Sequence, residues 1–175
     1  MSNITCLDIE LAIMQKFKFF QNIIVPNVNS LLEFETDVVV LYKTGYAYGF
    51  EIKTTLSDLR ADFKKKQFTK ANTPVNGKSG LEHYYGKFKH FAYVVPDGLA
   101  IKAIEMIPNH FGIYTATRYR FTETGRCFLT CIRKPKRLFS YKWSPDEMLK
   151  LAHLGAMRVY KYKRAKQEAI RTTTT

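Results

Sequence analysis

The chain has 175 residues, and its 28 Lys and Arg outnumber its 15 Asp and Glu to give a formal net charge of +13 at pH 7. Its 46% hydrophobic residues are enough to fill the core of a domain of this size, which excludes the intrinsically disordered and fibrous classes. The positive charge favours a polyanion as partner, with nucleic acid expected before an anionic membrane.

The sequence shows no signal for export or for membrane insertion. Its longest apolar stretches are far shorter than the roughly 20 residues that cross a bilayer. Polar and acidic residues stand where a signal peptide would be basic. We therefore expect no membrane partner and no secretion by a signal of the chain's own.

Helical and strand periodicities alternate in the first half of the chain. Apolar residues at helical spacing after Thr5 predict a helix with that residue as N-cap. The turn-forming segment 43–45 separates two apolar runs, which predicts a β-hairpin. Thr55 and Asp58 form a capping pattern before a helix that closes with lysines, and Asp62 in that helix is expected to form an ion pair with Lys65 or Lys66. The predicted elements are helix 5–17, strand 23–25 ending at Pro26, strands 37–42 and 46–53, and helix 55–66.

The second half begins with a polar segment and continues with short apolar runs. The segment is rich in Asn, Gly and Lys and predicts a loop, whereas Ser144 and Pro145 are typical of a helix start. No linker is long enough to separate two domains, so we expect one body over 1–140, a basic helix over 141–171 that packs on it or extends from it, and a tail over 172–175. The predicted elements are loop 69–86, strand 90–95, helical turns 99–105, strands 111–115 and 127–132, and a helix from 144 past 166.

Three charged residues stand out on the predicted hairpin. Asp37 begins one strand, and Glu51 and Lys53 lie near the end of the other. Side chains at i and i+2 of a strand share a face, so Glu51 and Lys53 point the same way, while the side chain of Ile52 enters the core. Hairpin pairing would place Asp37 opposite the Glu51 region, and we expect the three charges to meet at a solvent-facing edge.

This arrangement predicts a site for Mg²⁺. Two carboxylates, from Asp37 and Glu51, and the carbonyl oxygen of Ile52 are hard oxygen ligands, and Lys53 is placed to orient or deprotonate a water molecule. Such a site is equipped to hydrolyse a phosphodiester. The residues alone leave an alternative open, which is ordinary surface charge on an edge strand.

The sequence around these residues resembles the PD-(D/E)XK nuclease-like superfamily, which has the restriction-endonuclease-like fold. It is similar in particular to small phage and bacterial proteins related to nucleases or DNA repair. The sequence departs from the family motif at one position, because Thr36 stands in place of the proline that precedes the motif aspartate. The resemblance is carried by residues 35–41 (ETDVVVL), 48–65 (YGFEIKTTLSDLRADFKK), 90–99 (HFAYVVPDGL), 107–114 (IPNHFGIY) and 133–138 (RKPKRL).

The resemblance implies an α/β fold with a central mixed sheet flanked by helices, in α-β-β-β-α-β order with added C-terminal strands and a helix. It implies that Asp37 and Glu51 bind Mg²⁺ or Mn²⁺, that Lys53 is the catalytic lysine, and that Glu10 of the first helix joins the same site. The implied activity is that of a metal-dependent deoxyribonuclease in which a metal-activated water attacks the phosphodiester. The alternative is a DNA-binding or assembly component of a phage particle or repair complex, with weak or no catalysis.

Basic and aromatic residues are grouped in ways that suit a nucleic acid. Lysines close helix 55–66, aromatic and basic residues alternate before strand 90–95, and two basic groups cover 133–137 and 158–171. Solvated charge and core aromatic residues are the alternatives. The candidate nucleic-acid contacts are Lys64, Lys65, Lys66, Tyr84, Tyr85, Lys87, Lys89, Arg133, Lys134, Lys136 and Arg137.

The expected partner is DNA, with RNA as the alternative, and no small-molecule cofactor is expected. An oligomer or a larger assembly is compatible with the sequence. The resemblance implies the cytoplasm of a bacterial or phage-infected cell, with association with a virion as the alternative location.

Overall fold

The computed structural model of the chain describes residues 4–65, 67, 73–118 and 126–173. Within them the helices are α1 (Cys6–Lys16), α2 (Leu56–Asp62), α3 (Gly80–Tyr85), α4 (Ala100–Met106) and α5 (Pro145–Thr173), with a 3₁₀ turn at Asp97–Leu99. The strands are β1 (Ile23–Val28), β2 (Thr36–Leu41), β3 (Ala47–Ile52), β4 (His90–Pro96), β5 (Gly112–Arg118) and β6 (Cys127–Arg133). This order agrees with the predicted succession of elements, except for α3.

The described strands form one mixed sheet in the order β1-β2-β3-β4-β5-β6. β1, β2 and β3 are antiparallel neighbours, β4 is parallel to both β3 and β5, and β6 is antiparallel to β5. A parallel step needs a long connection, and the chain between β3 and β4 contains α2 and α3. The molecule is therefore a mixed α/β fold with helices around a six-stranded sheet.

Alternation along the strands divides the core between the two faces of the sheet. The even-numbered residues of β2 and β3 face α1, whose Ile9 and Ile13 are fully buried against them. The odd-numbered residues face α2, α3 and α5, where Leu59, Tyr85 and Leu151 are buried in a second apolar cluster. Asp37, Glu51 and Lys53 are odd-numbered, so the sheet assigns them to the α2 side.

The strand predicted to end at Pro26 continues to Val28, so the predicted end is wrong. Pro26 pairs with Val38 within β1, which is one of the two edge strands of the described sheet. A proline has no N–H to donate, and edge strands tolerate it because one side of the strand has no neighbour to bond.

The predicted loop 69–86 contains a helix, α3, that the sequence interpretation missed. The side chain of Ser79 accepts a hydrogen bond of 3.1 Å from the main-chain N–H of Glu82 and caps this helix. The predicted helix 55–66 is shorter than expected and ends at Asp62. Its last predicted residue, Lys66, lies outside the described residues.

Helix α5 packs on the body through its first half. Leu151 is fully buried, Gly155 lies against Val25, and the Arg158 guanidinium donates a hydrogen bond of 2.7 Å to the carbonyl of Asn27. Residues 159–171, called the distal segment of α5 below, are exposed throughout. Among the described helices, none is long and apolar enough to cross a membrane.

Candidate active site

The hairpin brings Asp37 and Glu51 to neighbouring strand ends. Val38 pairs with Phe50, so Asp37 and Glu51 occupy the next position along the two antiparallel strands. The main-chain N–H of Ile52 donates a hydrogen bond of 2.7 Å to Asp37 Oδ2. This bond fixes the Asp37 carboxylate beside the end of β3.

Glu51 and Lys53 form a buried ion pair on the same side of β3. Lys53 Nζ lies 2.8 Å from Glu51 Oε1, and Lys53 and Glu51 are only 4% and 3% exposed. The expectation of a solvent-facing edge is therefore wrong for this pair. The physical reason is that α2 follows Lys53 closely in the chain and covers the face on which both side chains lie.

Asp62, at the end of α2, holds Lys53 from the other side. Its side chain is fully buried, and Asp62 Oδ1 lies 3.1 Å from Lys53 Nζ. The hydroxyl of Tyr93, on β4, donates a hydrogen bond of 2.8 Å to Asp62 Oδ2. Lys53 is thus fixed between two carboxylates, and one of them is itself fixed by a buried tyrosine.

Lys65 closes a ring of alternating charges at the mouth of the site. Lys65 Nζ lies 2.5 Å from Asp62 Oδ1 and 3.4 Å from Glu51 Oε1, and its side chain is 47% exposed. The sequence predicted Asp62 to be an ion-pair partner of Lys65 or its neighbour, and the Lys65 pair confirms this. The sequence did not predict that Asp62 also binds Lys53.

One oxygen of Glu51 is left without compensation. Glu51 Oε2 is buried and has no hydrogen-bond partner among the described residues. Burial, together with the nearby negative charge of Asp37, raises the pKa of Glu51 to about 7, although Lys53 acts in the opposite direction. Burial likewise raises the pKa of Asp37, against the effect of the Ile52 hydrogen bond. The two carboxyl groups therefore lie together in a setting that penalises their negative charge.

Lys53 stays positively charged in this environment. Burial by itself lowers the pKa of Lys53, but the carboxylates of Glu51 and Asp62 outweigh it and raise the pKa above its ordinary value. A lysine held in its charged form is a hydrogen-bond donor and a poor proton acceptor. Of the two roles expected from the sequence, orienting a water molecule therefore fits better than deprotonating it.

Glu10 of α1 approaches the same region from the other side of the sheet. The thiol of Cys6 lies 3.8 Å from Glu10 Oε1 and donates to it. Burial raises the pKa of Glu10, and the charge of Asp37 adds to the increase. In the part of the chain that the structure describes, no group of three or more His, Cys, Asp or Glu is placed to hold a metal ion. Glu10 therefore does not form a three-carboxylate metal group with Asp37 and Glu51, whereas two carboxylates with the Ile52 carbonyl are a different kind of site.

Several candidate nucleic-acid residues have exposed side chains. Lys64 follows α2 and precedes Lys65, and Lys134, Lys136 and Arg137 belong to the segment that follows β6. All four of these residues are exposed. Lys89 is partly buried, with its ammonium 4.2 Å from the ring centre of Tyr46. The four exposed side chains therefore remain accessible to an anionic partner.

Other candidates are part of the core or hold the fold together. Tyr85 is 1% exposed and packs against Phe91, so it has no free ring face on which a base could stack. Lys87 pairs with Glu147 at 2.8 Å. Tyr84 is partly buried.

Arg133 is also engaged within the fold, because its guanidinium binds the loop before β5. It donates to the carbonyl oxygens of Ile107, Pro108 and Phe111 at 2.7 to 3.0 Å. An arginine with these bonds shapes the loop and has less capacity to bind phosphate.

The sequence interpretation did not assign Asp62 and Tyr93 to the site, and only Asp62 had a signal that could have placed it there. Leu59 and Asp62 are three positions apart on α2, so a buried Leu59 predicts that Asp62 shares its buried face. No local pattern marks Tyr93, which lies in a continuous apolar strand and reaches Asp62 only through the fold.

Comparison with known proteins supports the fold and leaves the activity open. The chain is similar to a solved structure of the SPO1766 protein of unknown function from Silicibacter pomeroyi, with a TM-score of 0.54 and 14% sequence identity. The match covers 90% of this chain and 88% of that chain. No family model matches the sequence, and no curated protein matches it. At this level of identity the similarity shows a shared fold alone.

Proposed function

We propose that the chain is a metal-dependent DNA nuclease of the PD-(D/E)XK type that hydrolyses phosphodiester bonds. The observation that carries the proposal is the buried carboxylate of Glu51, which lies beside Asp37 and has one oxygen without a partner among the described residues. Leaving a buried charged oxygen unpaired is costly, and a cation is the partner that would offset the cost. The resemblance of the surrounding sequence to this superfamily supports the same conclusion.

Mg²⁺ or Mn²⁺ fits the donor atoms at this site. Asp37 and Glu51 offer hard carboxylate oxygens, and the carbonyl of Ile52 is the expected third ligand. Burial raises the pKa of each carboxyl group, and a divalent cation would act in the opposite direction by favouring the charged forms. When bound, the ion would supply the Lewis acidity for hydrolysis.

The residues of the chain have separate roles in this proposal. The Ile52 N–H orients Asp37, and the charged Lys53 would donate a hydrogen bond that orients the attacking water. Lys65, half-exposed at the mouth, would meet the substrate backbone first. Glu10 would add negative charge near the cation, as the resemblance implies.

A cleavage assay tests the proposal directly. The native protein is incubated with linear, circular, single-stranded and branched DNA, with Mg²⁺, with Mn²⁺ or with EDTA. We expect metal-dependent cleavage of at least one substrate and a loss of at least about a hundredfold in rate for Glu51→Gln. The control Glu105→Gln removes an exposed carboxylate that pairs with Lys102, and it should cleave normally.

Two results would contradict the proposal. One is the absence of cleavage of every DNA by the native protein, and the other is undiminished cleavage by Glu51→Gln. Absence of cleavage together with tight DNA binding would favour the alternative function, a DNA-binding or assembly component that retains a nuclease fold.

A further inference from the structure

The distal segment of α5 is exposed along its whole length. The Arg158 guanidinium donates a hydrogen bond to the Asn27 carbonyl, and every residue from Val159 to Arg171 is exposed. At 1.5 Å per residue this segment is about 20 Å long. An isolated helix of this length is marginal in water, so a segment with this exposure is well suited to being stabilised by a partner.

The distal segment is strongly basic. It contains five basic residues and one acidic residue, Glu168, so its formal charge is 5 − 1 = +4. Arg164 pairs with Glu168 at 3.0 Å, and both side chains are at least 60% exposed, so the pair contributes little and can be exchanged for another contact. The basic residues are Lys161, Lys163, Arg164, Lys166 and Arg171.

The basic side chains surround most of the helix. Since successive residues turn by about 100°, the five basic positions spread over roughly 220° of the circumference. The remaining arc continues the face by which the first half of α5 packs on the body, and it carries Tyr162, Ala165 and Ala169. A basic arc wider than half the circumference cannot be satisfied by one flat anionic surface.

This charge distribution disfavours two possible partners of the distal segment, a second copy of the chain and a membrane. A second copy of the chain would bring two segments of +4 together, and like charges repel. A helix that lies on a membrane presents bulky apolar residues on one broad face free of charge, whereas here Val159, Tyr160 and Ile170 lie among the basic side chains and the non-basic arc holds two alanines and one tyrosine. The remaining partner, whose negative charge complements the basic segment, is a nucleic acid.

We propose that the distal segment of α5 binds duplex DNA by lying in the major groove and contacting phosphates of both strands. The major groove is about 12 Å wide and a helix with its side chains is about 10 to 12 Å across, so the phosphates on both sides face the basic arc. The proposal deepens the proposed nuclease function, on which it rests, by naming duplex DNA as the form of the substrate.

Binding measured without metal separates this proposal from the nuclease activity. The full-length protein is titrated onto a labelled duplex of about 20 base pairs in EDTA, between about 50 and 200 mM salt. The test variant carries Lys161→Gln, Lys163→Gln and Lys166→Gln, which remove three charges and keep residues that favour helices.

A matched control removes the same number of charges from exposed sites elsewhere. It carries Lys43→Gln, Lys78→Gln and Lys102→Gln, all outside α5 and away from the candidate active site. Circular dichroism of both variants checks that the helix content is unchanged.

The expected result is a selective loss of duplex affinity in the test variant. The slope of log K against log salt should fall in magnitude by up to about 3, and affinity near 0.1 M salt should fall by about tenfold or more. The control should change much less, and a single strand of equal length should bind more weakly than the duplex.

Three results would overturn the proposal. They are an equal loss of affinity in both variants, stronger binding to the single strand than to the duplex, and binding to phosphatidylserine vesicles in place of the duplex. Because EDTA prevents metal-dependent cleavage, failure of the nuclease assay would overturn the proposed activity and would leave the outcome of this binding test unchanged.

Discussion

The ammonium of Lys53 lies 3.1 Å from the carboxylate of Asp62, and neither side chain is more than 5% exposed. The two residues are nine positions apart in the chain and are joined by the turn from β3 into α2. Lys53 also contacts Glu51, so one buried cation compensates two buried carboxylates. This relationship makes the site sensitive to the loss of positive charge.

Replacing Lys53 by alanine should destabilise the fold strongly. Among the described residues, the substitution leaves the half-exposed Lys65 as the cation that contacts the buried Glu51 and Asp62, and breaking a buried pair in this way costs about 3 to 5 kcal/mol. Urea unfolding of Lys53→Ala measures the loss. Lys102→Ala, which removes an exposed pair, should change the free energy of unfolding by less than about 1 kcal/mol. Equal effects of the two substitutions would contradict the prediction.

The hydroxyl of Tyr93 should contribute more to the free energy of unfolding than that of Tyr141, although both donate hydrogen bonds to carboxylates. Tyr93→Phe removes a buried hydrogen bond to Asp62, which should lower the free energy of unfolding by about 1.5 to 3 kcal/mol. Tyr141 donates to Glu147 at an exposed position, where water can replace it, so Tyr141→Phe should cost less than about 1 kcal/mol. Chemical denaturation of the two variants side by side checks the order, and the reverse order would refute it.

Divalent cations should stabilise the native protein through Asp37 and Glu51. A ligand that binds the folded state alone adds about 2.7 kcal/mol at a hundred times its Kd. Thermal unfolding with and without Mg²⁺ should show this increase for the native protein and for Glu105→Gln. Asp37→Asn and Glu51→Gln should lose it, and a Mg²⁺ response that persists in both would place the ion elsewhere.

Gly49 occupies a position on β3 where even a methyl group has no room. A Cβ atom there would lie 2.4 Å from the Phe91 ring and 2.9 Å from the Phe88 ring, so Gly49→Ala should destabilise the fold by about 1 to 3 kcal/mol. At Gly98, by contrast, an added methyl group would have nothing within 4 Å. Gly98→Ala should therefore be neutral or slightly stabilising, and melting temperatures of the two variants provide the comparison.

Glu147 should make stability fall in acid. Burial would raise the pKa of this carboxyl, but hydrogen bonds from Lys87, the Ser144 N–H and Tyr141 outweigh it and lower the pKa from 4.5 to about 2. Because the folded pKa is the lower one, the contribution is complete above pH 4.5 and is lost as pH falls towards 2.

The native protein should therefore lose about 1 to 2 kcal/mol more than Glu147→Gln across that range, a figure reduced for the exposure of Lys87. Denaturant unfolding at several pH values measures the difference. Parallel pH profiles of the native protein and Glu147→Gln would show that the contacts of Glu147 contribute nothing.

The sequence by itself determined the elements whose signals are local. The hairpin follows from two apolar runs around a turn, and its pairing put Asp37 next to Glu51. Capping residues located helix starts correctly: Thr5 accepts from Asp8 N–H, and Thr55 accepts from Asp58 N–H. Such signals are readable because the interacting residues are close together in the chain.

Only the tertiary structure decided which side of each element is covered. Glu51 and Lys53 were expected in solvent and are buried because α2 folds over them, and Tyr85 is in the core because the rings of Phe91 and Phe111 pack against it. Asp62 meets Tyr93 across 31 residues of sequence. Contacts over such separations depend on how whole elements pack. Periodicity can place a charged residue on a strand or helix, but it cannot show whether another element will bury it.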